Sequence, residues 1–446
     1  MICLPNNFKR LLFYQMNNKL NILLIIEQCN PELSSVPLEG YNYYKEINKL
    51  SNVTLVTHER NKKALSKHIN QRQNEIVYIY ESILTKKYYA QIAKLTSIGR
   101  INWPLKHALA YPIYAEFNHK VHQKFKRKIL EGYYDTVHVI TPMMPRYPAK
   151  VVKACHNIPF ILGPVNGGVP FPSGFKQVAK QESAQFNFLR AIGRALIPGY
   201  RETYEKAERV LAGSTYTLKM LKGLFNLSDS QISLFYENGI DKSFFTFNRE
   251  PFVVKVQVNL LFVGRLVPYK GADMLLEAIN RLDKEVKNKI QLTIVGDGSE
   301  KSSLEKKVIE NNLQRKVNFT GWIEQSETIQ YYQKSDIFCF PSIREFGGAV
   351  VLEAMACGLP CIVVNNGGIG EYVTDETGFK IDPISREYLI QELSEKIRCL
   401  VDDENLRFQM SSKAIERVRE FEWSQKAKQI INIYNLAIDR KKSRTC

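Results

Sequence analysis

Two series of short apolar segments, each followed by a turn and a longer amphipathic stretch, constrain the fold of this chain more than any other feature. The first series covers residues 20–26, 53–57, 76–80, 136–140, 160–163, 210–212 and 232–235, and the second covers 259–263, 291–295, 317–319, 337–341, 361–364 and 379–381. These segments are rich in β-branched and aromatic residues, and many recur about every 30 residues, as in β-strand–helix–β-strand units. The sequence therefore predicts an α/β protein with two Rossmann-like, doubly wound domains that face a central cleft.

The length of 446 residues is too great for one ordinary core and agrees with two domains. We predict an N-terminal domain over residues 17–240, a linker over 241–256 and a C-terminal domain over 257–420. The Asn238-Gly239 pair marks a turn at the hinge, and Pro251 marks a break. A final amphipathic helix over 421–438 is expected to pack back on the N-terminal domain.

The first strand of the second series, 259–263, runs into a glycine turn that carries two cations, Arg265 and Lys270. An Arg fork and a Lys point charge are the usual ways of holding phosphate oxygens. Such a pair on its own is more often part of an exposed surface. Its weight increases because later strands also run into glycine, at Gly296 and at Gly321.

Two carboxylates, Glu345 and Glu353, flank the pair Gly347-Gly348 and the start of a helix-forming segment. Glycine allows close approach of the backbone to a ligand, and a helix start offers unpaired N–H groups to a phosphate. Carboxylates nearby can bind hydroxyl groups, and phosphates with hydroxyls describe a nucleotide sugar. The alternative is an ordinary solvated helix face.

Taken together, these motifs resemble those of retaining glycosyltransferases of the family 4 type, which have the GT-B fold. The resemblance is densest over residues 259–378 and is carried by Gly264-Arg265 with Lys270-Gly271, Val295-Gly296-Asp297-Gly298, Phe319-Thr320-Gly321, Glu345 to Glu353, Leu352-Glu353-Ala354-Met355-Ala356-Cys357-Gly358-Leu359-Pro360, and Gly367-Gly368 with Glu371.

The resemblance implies a donor site for a UDP-, GDP- or other nucleoside-diphosphate sugar. In it, Arg265 and Lys270 contact the diphosphate, Glu345 lies near the sugar and Glu353 binds the ribose. The turn Gly321-Trp322-Ile323 would border the base, and Gly264, Gly347 and Gly348 would line the site. The sequence departs from the commoner motif at one point, because Phe346 follows Glu345 directly where a glycine is usual.

The acceptor side is predicted from the N-terminal domain. Residues 163–168 form a glycine-rich loop after a strand, and Gly167 and Gly168 permit close approach of the backbone at the cleft. An ordinary tight turn is the alternative for this loop. His138, near a strand end, is either part of an acceptor pocket or a hydrogen-bonded structural histidine.

The net charge of +17 needs a partner or an explanation. We expect no nucleic acid partner, because no basic region is interleaved with the aromatic residues that bind single strands. The anionic inner face of a membrane is a second candidate, through residues 124–128 and the basic residues Arg190, Arg194 and Arg201. General enrichment in lysine is the third. The longest clean apolar run, residues 22–26, is far too short to span a bilayer, so a cytoplasmic protein is expected.

The resulting hypothesis is a retaining glycosyltransferase with a glycan or lipid-linked acceptor, active in surface polysaccharide or glycoconjugate synthesis. We expect it to need no cofactor and no metal, because no Asp-x-Asp pair follows a strand, and Arg265 and Lys270 supply positive charge instead. A nucleotide-sugar 2-epimerase of the same fold and a non-catalytic nucleotide-binding protein are the alternatives.

Overall fold

The computed structural model describes residues 19–69, 75–96, 103–182, 188–245 and 257–445. Over these residues the protein contains two parallel β-sheets. In the order β3-β2-β1-β4-β5-β6-β7, the first sheet contains β1 (Asn21–Ile26), β2 (Asn52–His58), β3 (Glu75–Ile79), β4 (Thr136–Thr141), β5 (Phe160–Val165), β6 (Arg209–Ala212) and β7 (Ile232–Leu234). In the order β10-β9-β8-β11-β12-β13, the second contains β8 (Val258–Val263), β9 (Ile290–Val295), β10 (Val317–Gly321), β11 (Ile337–Phe340), β12 (Cys361–Val364) and β13 (Gly378–Ile381).

These sheets confirm the predicted fold class of two facing Rossmann-like domains. Each strand expected from the sequence is present, with ends that differ by one or two residues. The central strands were recognisable because they are buried on both faces: every residue of β4 is buried, as is every residue of β1 after Asn21. Covered parallel strands are therefore nearly continuous apolar runs.

Helices cover both faces of the first sheet. They are α1 (Val36–Leu50), α2 (Lys62–His68), α3 (Ile83–Thr96), α4 (Trp103–Leu130), α5 (Lys176–Gln181), α6 (Phe188–Leu196), α7 (Tyr200–Glu205) and α8 (Thr215–Phe225).

The second sheet has its own set of helices, whereas the last helix of the chain packs against the first domain. The set is α9 (Ala272–Arg281), α10 (Lys284–Lys289), α11 (Lys301–Glu310), α12 (Gln325–Gln333), α13 (Ala349–Ala356), α14 (Gly368–Tyr372), α15 (Arg386–Asp402) and α16 (Glu404–Val418). The final helix, α17 (Trp423–Thr445), packs against α1, and its Trp423, Ile430 and Tyr434 are buried with the core residues of the first sheet.

The predicted linker is only partly described. Residues 242–245 form a short 3-10 turn, and Phe244 is buried in the core of the second sheet. Residues 246–256 lie outside the described residues, as do residues 17 and 18 at the predicted start of the first domain. The domain boundaries therefore stay a prediction.

Polar contacts join the carboxyl-terminal edges of the two sheets. The Asn166 side chain, just after β5, donates from Nδ2 to the carbonyl oxygen of Phe346 at 2.9 Å. Arg344 donates from Nε to the carbonyl of Val169 at 2.7 Å. The backbone N–H of Thr215, at the start of α8, donates to the Glu371 carboxylate at 2.9 Å. Ligands of doubly wound sheets bind at this edge, so these contacts locate the cleft.

Candidate donor site

The turn after β8 is positioned by glycines that lie against β11. A Cβ atom on Gly264 would lie 3.2 Å from the Phe340 ring, and one on Gly271 would overlap the carbonyl oxygen of Pro341. Gly271 also has a φ of +75°, a conformation that favours glycine. Between these glycines, Arg265 is exposed and its Nη2 donates to the Tyr269 hydroxyl at 2.7 Å. The two glycines hold the cationic turn against the strand that leads to Glu345.

Lys270 and Glu345 form an ion pair at the centre of this edge. Lys270 is only 9% exposed, and its ammonium group contacts Glu345 Oε2. The same carboxylate oxygen accepts from the Ser342 hydroxyl at 3.2 Å, and Nζ lies 4.9 Å from the centre of the Phe340 ring. The structure thus brings together two residues that the sequence analysis assigned to the diphosphate and to the sugar. A ligand phosphate here would compete with Glu345 for the lysine.

Helix α13 begins directly after the glycine pair. Gly348 is its N-cap residue with a φ of +74°, and a Cβ atom there would overlap the Ile369 side chain. With its amide oxygen turned toward the helix, Asn238 accepts from the N–H groups of Gly348 and Ala349, both at 3.2 Å. In that orientation a phosphate at this helix start would have to displace Asn238 from the two N–H groups. The expectation that the helix start binds a phosphate stays a prediction.

Glu353 lies on the first two turns of α13 and is 5% exposed. Gln325 Nε2 donates to its Oε1 at 2.7 Å, and the Tyr332 hydroxyl donates to its Oε2 at 2.8 Å. Burial raises the pKa of the Glu353 carboxyl, while the hydrogen bonds from Tyr332 and Gln325 oppose this. Its partners come from α12, the helix that follows the Gly321-Trp322-Ile323 turn. Glu353 and the turn predicted to border the base are thereby linked through one helix.

That turn offers an open aromatic surface. Gly321 has a φ of +76°, and the side chain of Trp322 is 71% exposed. Ile323 is partly buried and packs against the core of the second sheet. An exposed indole suits stacking against a flat ring, and the placement of the base at this turn stays a prediction.

On the acceptor side, Gly167 and Gly168 have φ values of +147° and +83°. A Cβ atom on Gly167 would lie 3.2 Å from Pro145, and one on Gly168 would lie 2.6 Å from Met220 Sδ. Both glycines are thus explained by packing within their own domain. Asn166, one residue earlier, makes the contact with Phe346 across the cleft. The acceptor role of the two glycines stays a prediction.

His138 is fully buried in β4. Its Nδ1 lies 2.6 Å from the Tyr434 hydroxyl of α17, and its Nε2 lies 2.6 Å from the carbonyl oxygen of Gly163. Burial lowers the pKa of the imidazole to about 4, so the ring is neutral at ordinary pH. Both nitrogens are engaged within the protein, which favours the structural alternative, and the acceptor assignment stays a prediction.

Sequence reasoning missed two residues at the site. It took Asn238 only as part of a turn, and it gave Glu237 no role. Glu237 lies beside Gly347, where a Cβ atom would overlap its Oε1. The only available signal was the position of these two polar residues shortly after β7, at the carboxyl-terminal edge of the first sheet.

Parts of this chain are similar in sequence to known proteins. The model of the family described as glycosyl transferases group 1 matches residues 244–417. A D-inositol 3-phosphate glycosyltransferase of Corynebacterium glutamicum is 32% identical over 183 residues, which are 40% of this chain and 43% of the relative. A GDP-mannose-dependent monoacylated alpha-(1-6)-phosphatidylinositol monomannoside mannosyltransferase of the same species is 30% identical over 253 residues, 52% of this chain and 64% of that one. The chain thus spans less than two thirds of the length of either relative.

Solved structures resemble the whole chain. Anabaena HepE, in complex with UDP and glucose, superposes with a TM-score of 0.59 at 16% identity, over 93% of this chain and 99% of that one. Sucrose-phosphate synthase of Thermosynechococcus elongatus gives 0.61 at 19% identity, over 95% and 100%. At such identities the likeness concerns the fold alone. Residues 244–417 of this chain therefore match the group 1 glycosyl transferases in sequence, within a protein that has the GT-B fold.

Proposed function

We propose that this protein transfers a sugar from a nucleoside-diphosphate sugar to a hydroxyl group of a glycan or a lipid-linked acceptor. The observation that carries the proposal is the Lys270–Glu345 pair at the carboxyl-terminal edge of the second sheet, next to the Arg265 turn. A cation that is already desolvated is well placed to stabilise a departing diphosphate. The sugar would lie toward Glu345, and the ribose toward Glu353.

Transfer with retention and without a metal ion, as in the family 4 type, is part of this proposal. Arg265 and Lys270 supply the positive charge that a metal would otherwise supply, and the sequence contains no Asp-x-Asp pair at a strand end. A leaving phosphate oxygen takes the acceptor proton on the same face of the sugar, so the scheme needs no side-chain base. Two carboxylates with separate partners, Glu345 with Lys270 and Glu353 with Tyr332, fit transfer better than a hydrolytic carboxylate pair.

The acceptor and the location in the cell follow as further parts of the proposal. The named relatives act on an inositol phosphate and on a phosphatidylinositol monomannoside, which favours a surface glycan or glycoconjugate built on a lipid at the inner face of the membrane. Within the described residues, no helix has the length and apolar character needed to cross a bilayer.

A peripheral contact with the membrane would use α4 and α6, which touch each other. Lys124, Lys126, Arg127 and Lys128 are exposed on α4, and Ile192 and Leu196 are exposed on α6. Cations beside exposed apolar residues suit an anionic lipid surface. Sedimentation with vesicles that contain phosphatidylglycerol tests this part, and equal sedimentation with neutral vesicles would contradict it.

A panel of nucleotide sugars tests the central proposal. A donor at 100 times its dissociation constant should raise the free energy of unfolding by about 2.7 kcal/mol, which a thermal shift assay detects. The stabilising donor is then incubated with glycan and lipid acceptors, and the anomeric configuration of the product is read by NMR. Stabilisation by no nucleotide sugar would overturn the proposal, and conversion of the donor to its 2-epimer without an acceptor would favour the epimerase.

A further inference from the structure

A third carboxyl group, Glu237, lies beside the turn of residues 345–348, here called the donor turn, and has no role in the scheme above. It follows β7, and its Oε1 occupies the space that a Cβ atom on Gly347 would need. The next residue, Asn238, caps α13 when its amide oxygen is turned toward the helix. Residues 237 and 238 thus support both glycines of the donor turn from the first domain.

Beneath Glu237 lies a buried charge cluster. Glu39 of α1 is 8% exposed, and its Oε2 has no hydrogen-bond partner within the described part of the chain. Lys426 of α17 is 3% exposed; its Nζ donates to the carbonyl oxygen of Tyr236 and lies 4.2 Å from the centre of the Phe235 ring. An unpartnered buried carboxyl oxygen is costly, so the cluster favours forms in which a carboxyl is neutral.

The groups that face Glu237 come from every element around it. They are Glu39 and Tyr43 from α1, Lys426 from α17, Glu345 from the donor turn, and Tyr372 from α14. Lys270 is matched by Glu345, so among the described residues Lys426 is the one cation that faces both Glu39 and Glu237. Carboxyls therefore outnumber cations on this side of the cleft.

The proton affinities of these groups support the same picture. Burial raises the pKa of Glu237 to about 7, with the negative charge of Glu345 adding to the rise and the Asn166 side chain and Lys426 opposing it. Burial also lowers the pKa of Lys426 to about 7 and raises that of Glu39 well above its usual range. The cluster thus becomes more negative as the pH rises through neutrality.

We propose that Glu237 is a further residue of the donor site, that it holds a proton while a nucleotide sugar is bound, and that donor binding takes up this proton from solvent. The inference rests on the function proposed above. A diphosphate would bring negative charge close to Lys270, where the Glu345 carboxylate already carries a negative charge. A neutral Glu237 carboxyl adds no repulsion there and offers an O–H donor.

The test measures donor affinity against pH in wild-type protein and in Glu237→Gln. Glutamine has the shape of the protonated acid and cannot ionise. With the nucleotide sugar that the panel selects, the wild-type dissociation constant should be flat below about pH 6.5 and should rise by up to about tenfold per pH unit above pH 7. The dissociation constant of Glu237→Gln should keep its low-pH value throughout.

Calorimetry in two buffers of different ionisation enthalpy counts the protons directly. At pH 8 we expect close to one proton taken up per donor bound by the wild-type protein, and close to none by Glu237→Gln. Glu208→Gln is the matched control, because Glu208 is a buried glutamate that lies before β6, at the opposite edge of the first sheet. It should behave as wild type.

Two results would overturn the proposal, and a third would remove its basis. Wild-type affinity that does not change between pH 6 and 8.5 would do so, and this measurement needs no variant to fold. If the donor affinity of Glu237→Gln depends on pH as in the wild type, the proton belongs to another group. Lys426→Met is measured alongside, and loss of the pH dependence in that variant would identify Lys426 as the group. Donor binding at no pH at all would instead remove the proposed function on which this inference rests.

Discussion

Variants of the Lys270–Glu345 pair can separate two effects of this pair, its electrostatic role in the proposed mechanism and its contribution to stability. The two side chains are 11% and 15% exposed, so the pair is nearly desolvated. Lys270→Met would leave Glu345 with the Ser342 hydroxyl, 3.2 Å away, as its remaining described partner. Removal of one partner of a buried pair usually costs 3–5 kcal/mol, and the residual exposure places this site at the low end, about 3 kcal/mol.

The double variant Lys270→Met/Glu345→Gln removes both charges. Because no carboxylate is left unpaired, its free energy of unfolding should return to within about 1 kcal/mol of wild type. Transfer should not return, since the cation that stabilises the leaving diphosphate is still absent. We expect kcat/KM to fall about 100- to 1,000-fold in both variants, the loss typical of one missing electrostatic donor.

Urea unfolding and initial-rate kinetics with the selected donor measure the two effects. Lys396→Met is the matched control, because Lys396 pairs with Glu392 at 3.5 Å on the outer helix α15, and it should alter neither quantity much. Recovery of transfer together with stability in the double variant would refute the reasoning. It would mean that Lys270 serves only to neutralise Glu345.

Four further predictions follow from the same geometry. Glu353→Gln should weaken nucleoside diphosphate binding by about 10- to 100-fold, as loss of a charged hydrogen bond to ribose would. Tyr332→Phe should mainly lower stability, by about 1–3 kcal/mol. Calorimetry measures the first effect and urea unfolding the second, and unchanged affinity in Glu353→Gln would remove Glu353 from the ribose site. Gly348→Ala should cost about 1–3 kcal/mol in urea unfolding, because it forces a φ of +74° on alanine and an overlap with Ile369; a smaller cost would show that the helix start relaxes. The pKa of His138 is lower in the folded than in the unfolded protein, so the stability that it contributes is present above about pH 6.5. Below that pH this stability declines by about 1.4 kcal/mol per pH unit toward pH 4. His138→Gln should flatten the decline in unfolding curves measured from pH 7 to 4.5. Treatment with a chelator should leave transfer intact, and complete loss restored by magnesium would contradict the metal-independent scheme.

The sequence by itself determined the two sheets, because buried parallel strands are continuous apolar runs whose period and spacing are local properties. It also indicated the candidate groups of the donor site. Arg265, Lys270 and Glu345 lie within two residues of a glycine near a strand end, and Glu353 lies in the helix-forming segment after Gly348. Such positions can be recognised locally in the sequence. The family resemblance then supplied the expected role of each.

Only the tertiary structure decided which of these groups touch. Lys270 meets Glu345 across 75 residues, and Asn238, with its amide oxygen toward α13, caps a helix that begins more than 100 residues later in the chain. His138 is paired with Tyr434 of α17, 296 residues away, and so lies in a core that the sequence could not distinguish from a pocket. Apolar periodicity specifies which face of an element is buried, but the partner that covers that face depends on how distant elements pack. The cluster of Glu39, Glu237 and Lys426 exists only because α1, α17 and the chain after β7 meet at one point.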